Sequence, residues 1–129
     1  MYIVLCEGDL AVLRVMSKSL SNVGYEVVQT TSGTEALDLF QRERVPDLLV
    51  TDLVLPGSMS GFALINSVLT LAPDVPILVV TGLFRNVPRF STHRYRNLRL
   101  LRKPFHIETL RDAVAELLPP DHQHRDNAP

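Results

Sequence analysis

Four polar residues in this chain each close a short strand-like run: Glu7 after Ile3–Cys6, Asp52 after Leu48–Thr51, Thr81 after Ile77–Val80 and Lys103 after Leu98–Arg102. Two carboxylates brought together repel each other, and a divalent cation with oxygen ligands is the usual way to keep both ionised, so Glu7 and Asp52 suit Mg²⁺. A lysine and a hydroxyl facing them suit the oxygens of a phosphoryl group. An aspartate can itself be the nucleophile, forming an aspartyl phosphate while metal and lysine neutralise the transferring charge. Asp52 is the candidate nucleophile, with Thr81 and Lys103 on the phosphoryl oxygens.

For that chemistry the four residues must share one edge of the fold, and the pattern of elements supplies such an edge. Ile3–Cys6 reads as a buried strand, and Val12, Val15, Met16, Leu20 and Val23 then fall at helical spacing before Gly24, where a helix-terminating glycine belongs. Glu26–Thr30 is a short second strand, and Ser32-Gly33-Thr34-Glu35 is a capping-box pattern opening a helix through Ala36, Leu37 and Phe40. Asp47–Thr51 is the third strand, followed by a loop rich in Pro, Gly and Ser up to Gly61 and a helix through Phe62, Leu64, Ile65, Val68 and Leu69. Ile77–Val80 is apolar on both faces, as a central parallel strand should be. Pro88 and scattered arginines break the periodicity of residues 83–97, which leaves room for a short helix. Leu98–Arg102 is the fifth strand, and the last helix runs from about Ile107 to Leu118, ended by Pro119-Pro120. Five strands alternating with five helical segments indicate a parallel sheet covered on both faces. Ligands in such sheets bind at the carboxyl ends of the strands, near the switch in strand order. With the order 2-1-3-4-5, Glu7 and Asp52 flank that switch.

Composition sets the frame. A chain of 129 residues suits one domain. Apolar content of 46% with 21% charge argues against disorder, and no apolar run approaches the roughly 18 residues of a membrane span. The start lacks the basic segment of a signal peptide, and a lone Cys6, read as a small core residue, fits a reducing, cytoplasmic setting. The domain is expected over residues 1–118, with 119–129 a loose polar tail. The net charge of −1 conceals segregation: residues 85–107 hold seven bases and no acid, flanked by segments with net charges of −5 and −3. Such a run is either a solvated face or a dock for an acidic partner.

Leu5-Cys6-Glu7, Pro46 to Asp52, Leu55-Pro56-Gly57-Ser58-Met59-Ser60-Gly61, Val80-Thr81-Gly82 and Leu101 to Phe105, in this order and spacing, resemble the receiver domain of two-component response regulators over about residues 2–118. The resemblance implies a flavodoxin-like, doubly wound five-stranded parallel sheet with helices on both faces. It implies that Asp52 accepts a phosphoryl group from a histidine kinase or histidine phosphotransfer protein. It makes Glu7 and the Val54 backbone carbonyl Mg²⁺ ligands alongside Asp52, Thr81 the switch hydroxyl, and Lys103 the phosphoryl partner, set by a cis bond to Pro104. The seven-residue loop is similar to one found in receivers attached to hybrid sensor kinases, so the chain is either a single-domain regulator or a piece of a larger protein. Nothing after Leu118 resembles a DNA-binding effector. The expected partners are the kinase and a downstream protein at residues 82–105, with no DNA or membrane, and a monomer or weak homodimer as the assembly.

The chain departs from the family in places that bear on activity. Where the family has a second adjacent acid, a direct metal ligand, this chain has Gly8, and the loss is expected to weaken Mg²⁺ binding; an aspartate restored there is expected to tighten it. Asp9 is read as the cap of the first helix. Leu100 stands where the family has an aromatic switch residue, and Arg96-Asn97 where it has Gly-Ala. These departures motivate an alternative, a degenerate receiver that binds partners without phosphorylation. A third reading, hydrolysis of a small-molecule phosphate at the same edge, has no separate substrate pocket to support it.

Overall fold

The computed structural model describes residues 1–82 and 97–118. Its elements run β1 (Tyr2–Cys6), α1 (Leu10–Ser21), β2 (Glu26–Thr30), α2 (Gly33–Arg42), β3 (Leu48–Thr51), α3 (Gly61–Leu71), β4 (Ile77–Thr81), β5 (Leu98–Arg102) and α4 (Ile107–Leu117). The sheet order is β2-β1-β3-β4-β5, and every neighbouring pair is parallel. This is the flavodoxin-like order expected from the sequence. A helix at 83–97, the basic run through residue 96 and the 119–129 tail lie outside the described residues.

The strands alternate their side chains between two apolar layers, as a period of two requires. Val4, Cys6, Leu49, Ile77 and Val79 face Ala36 and Phe40 of α2 and Leu64, Ile65 and Val68 of α3. Ile3, Leu5, Leu48, Val50, Leu78 and Val80 face Leu13, Met16 and Leu20 of α1 and Leu110, Ala113 and Val114 of α4. With β1, β3 and β4 buried on both faces, the central strands read as near-continuous apolar runs. On α1 the buried stripe is Leu13, Met16 and Leu20, whereas Val15 and Val23 are half exposed. Both stripes satisfy a helical period; packing against α4 decides between them.

Local capping fixes where the helices start. The Asp9 carboxylate accepts from the Ala11 and Val12 N–H groups at 2.9 and 3.3 Å, the cap expected for α1. Ser32 Oγ accepts from Glu35 N–H, and Glu35 in return accepts from the Thr31 N–H at 2.8 Å, a capping box closed one residue earlier than its usual form. Ser60 caps α3 through the Ala63 N–H. Gly24, two residues past the α1 cap Asn22, takes a left-handed φ of 102° and turns the chain towards β2.

Candidate functional site

The carboxyl edge of the sheet is built by extending the ladder one rung past each strand. The Glu7 N–H donates to the Thr30 carbonyl at 3.1 Å, the Asp52 N–H to the Cys6 carbonyl at 3.1 Å, and the Lys103 N–H to the Thr81 carbonyl at 2.9 Å. Each residue is thereby held in sheet register although it lies at or beyond its strand's end. Glu7 and Asp52 flank the place where the strand order reverses, between β1 and β3.

Lys103 joins the two carboxylates. Its Nζ donates to Glu7 Oε2 and to Asp52 Oδ2, both at 2.7 Å. Glu7 and Asp52 are 3% and 8% exposed, so these are charge-assisted bonds in a largely desolvated place. The remaining carboxylate oxygens are also held: Glu7 Oε1 accepts the Asp9 N–H at 3.2 Å, and Asp52 Oδ1 accepts the Val54 N–H at 3.1 Å. Burial pushes the Lys103 ammonium down, but its bonds and charge interactions with Asp52 and Glu7 outweigh that and leave its pKa raised. The Lys103–Pro104 peptide bond is cis.

Of the remaining residues singled out by sequence, Thr81 is buried at the end of β4 and tied to Lys103 through its carbonyl. Val54 presents an exposed side chain, and its N–H positions Asp52. Leu100, in place of an aromatic, is partly buried against the α2–α3 layer. From the basic segment, Arg99, Arg102 and Lys103 are described, and Arg99 pairs with Glu116 of α4.

Close packing brings the backbone behind Asp52 up to α3. A Cβ added at Gly61 would overlap the Asp52 carbonyl oxygen and stand 2.5 Å from Leu53 Cα, so only glycine admits this approach. The Gly61 N–H donates to the Leu53 carbonyl at 2.9 Å. Sequence reading marked Gly61 as a loop boundary and missed its part in shaping the site.

The family pattern of the response regulator receiver domain matches residues 3–115. This chain belongs to that family. As a receiver it is 31% identical over 116 residues to the response regulator receiver protein CpdR of Brucella abortus, covering 90% of this chain and 95% of that protein. Some other curated relatives are longer, and this receiver spans about half of the length of the probable transcriptional regulator ycf27 of Cyanophora paradoxa and of the response regulator MprA of Mycobacterium leprae. Among solved structures, the receiver domain of the hybrid histidine kinase CckA superposes with a TM-score of 0.76 at 27% identity, covering 92% of this chain and 99% of that one. The response regulator TrrA of Thermotoga maritima, solved in complex with Mg²⁺–BeF, superposes with a TM-score of 0.80 at 23% identity, covering 91% and 98%.

Receivers bind Mg²⁺ in their active site, and the carboxylates at this edge are donors of the right kind. They are oxygens, the hard ligands that Mg²⁺ takes while keeping several waters. Among the described residues no three of His, Cys, Asp and Glu come together as a metal cluster, and the Asp9 carboxylate is engaged at the start of α1. The edge therefore brings together two carboxylates, Glu7 and Asp52, around Lys103.

Proposed function

We propose that this receiver accepts a phosphoryl group on Asp52 from a phosphohistidine of a sensor kinase or phosphotransfer protein. The observation that carries the reading is the shared Lys103 ammonium, 2.7 Å from both buried carboxylates. It holds Asp52 in one orientation through Oδ2, with the Val54 N–H fixing the other oxygen. In the transfer, a carboxylate oxygen of Asp52 attacks phosphorus, the phosphorus–nitrogen bond to the donor imidazole breaks, and the pair of electrons leaves with the imidazole. Lys103 follows the charge onto the phosphoryl oxygens, and the Thr81 hydroxyl donates to one of them. Mg²⁺, held by Glu7, Asp52 and the Val54 carbonyl, would supply further charge neutralisation. The chain is not itself an enzyme beyond acting on its own acyl phosphate.

An apolar surface lies beside this edge. Ala11, Val12, Val15, Met16, Pro104, Phe105 and Ile107 line an apolar groove of about 560 Å³ that reaches Lys103, and α1 carries Arg14 and Lys18 but no acid. The downstream face is proposed along residues 82–105. A cytoplasmic setting fits the free, buried Cys6, and no helix of the described residues is long and apolar enough to cross a membrane.

Incubation with acetyl phosphate and Mg²⁺, followed by mass spectrometry, tests the reading. One phosphoryl group on wild type and none on Asp52→Asn is the expected result. Modification that persists in Asp52→Asn refutes the assignment. No modification, with no binding of a beryllofluoride mimic at millimolar Mg²⁺, favours the phosphorylation-independent binding module that Gly8 motivates.

A further inference from the structure

A polar row crosses one of the two apolar layers. At the last rung of the sheet, Cys6 of β1 pairs with Thr30 of β2 on one side and with Thr51 of β3 on the other. The period of two puts these side chains on the face that α2 and α3 cover, where Cys6 joins Ala36, Phe40 and Leu64 in the core. Thr30, Cys6 and Thr51 are all buried. Hydroxyls in such a place need partners, and each finds a carbonyl. Thr30 Oγ1 donates to the Leu5 carbonyl at 2.7 Å, and Thr51 Oγ1 donates to the Asp52 carbonyl at 2.9 Å. A hydroxyl has a single proton, so each of these oxygens is left to accept from the Cys6 thiol, which lies in hydrogen-bonding contact with both.

The bond from Thr51 falls on the residue read as the phosphoacceptor. The Asp52 carbonyl lies one residue past the end of β3 and is packed against Gly61, where a Cβ would overlap it. Its peptide unit leads through Leu53 to the Val54 N–H, which holds Asp52 Oδ1 at 3.1 Å. Rotation of that unit carries the Val54 N–H away from the carboxylate. Asp52 is thus gripped at its N–H by the Cys6 carbonyl, at its carbonyl by the Thr51 hydroxyl, at Oδ1 by Val54 and at Oδ2 by Lys103. We propose that Thr51 is a positioning residue for Asp52. Its hydroxyl fixes the peptide unit from which the carboxylate is oriented, and the Cys6 thiol beside it keeps that hydroxyl turned to the Asp52 carbonyl. Thr51 is fully buried and acts through the backbone, not on a phosphoryl group. Its consequence for phosphorylation rests on reading Asp52 as the phosphoacceptor; its consequence for the Val54 amide does not.

Thr51→Val keeps the shape and removes the hydroxyl, and Thr51→Ser restores it. The first readout needs neither metal nor phosphodonor: the Val54 amide proton followed by nuclear magnetic resonance. Losing one hydrogen bond changes a local equilibrium about two- to tenfold. In Thr51→Val the Val54 amide should therefore move upfield and exchange with solvent about two- to tenfold faster, whereas in Thr51→Ser it should match wild type. Cys6→Val removes the thiol proton and should move the same amide in the same direction by less; an unmoved amide overturns the part given to Cys6. The second readout is the initial rate of Asp52 labelling by acetyl phosphate at saturating Mg²⁺, expected to fall about two- to fivefold in Thr51→Val and to recover in Thr51→Ser. A Thr51→Val protein with a lowered thermal midpoint but an unmoved Val54 amide has lost only stability, and overturns the proposal. Equal shifts in the Val and Ser variants overturn it too, because they assign the effect to packing. Failure of the phosphoacceptor reading appears instead as absent labelling of wild type and leaves the amide series to decide the role of Thr51.

Discussion

Replacing Lys103 with methionine keeps the apolar stem and removes the ammonium that Glu7 and Asp52 share. Both carboxylate oxygens lie 2.7 Å from the same nitrogen, so they stand no further apart than twice that distance. At about 5 Å and an effective dielectric of about 20, two unit negative charges repel by about 3 kcal/mol. Removing one partner of a buried ionic cluster costs a similar roughly 3–5 kcal/mol. Lys103→Met should therefore lose about 3 kcal/mol, measured by urea unfolding followed by far-ultraviolet circular dichroism. Adding Asp52→Asn removes the repulsion and should return most of the loss. A loss below about 1 kcal/mol would refute the reasoning. So would a double variant weaker than Lys103→Met alone.

Further outcomes follow from the same geometry. Gly61→Ala forces a methyl group onto the Asp52 carbonyl and should cost at least about 1–3 kcal/mol, seen as a lowered midpoint together with reduced labelling of Asp52 by acetyl phosphate. Asp9→Ala should cost about 1 kcal/mol through the lost α1 cap while leaving Mg²⁺ affinity unchanged; weaker Mg²⁺ binding would move Asp9 into the metal site. Burial pushes the Cys6 thiol up from its ordinary value. Its contribution to stability is thus fully present below about pH 8.5, where the unfolded thiol titrates, and is lost as pH rises towards the folded value at about 1.4 kcal/mol per unit. Cys6→Ala should flatten the stability profile between about pH 8.5 and 10, and an unchanged slope there would contradict the assignment.

Particular elements show what was legible before the fold was known. β2 and β5 have the bounds their sequence patterns predict, because short apolar runs between turn residues leave few alternatives. The caps Asp9 and Ser32 were equally readable, since each acts on N–H groups two or three residues away. The buried stripe of α1 was not. Choosing Leu13 over Val15 depends on where α4 packs, and α4 lies far along the chain.

Sequence alone determined the strand and helix alternation and the four polar residues at the ends of strand-like runs, whereas the strand order came with the resemblance to receivers. The alternation follows from local periodicity, capping and the rule that parallel strands need crossovers. The tertiary structure decided what those residues do to one another. Lys103 reaches Glu7 across 96 positions and Asp52 across 51, and the distances that make one ammonium serve two carboxylates exist only once β1, β3 and β5 are aligned in the sheet. Short-range preference fixes elements, but electrostatics and close packing act through space, between residues the chain keeps far apart.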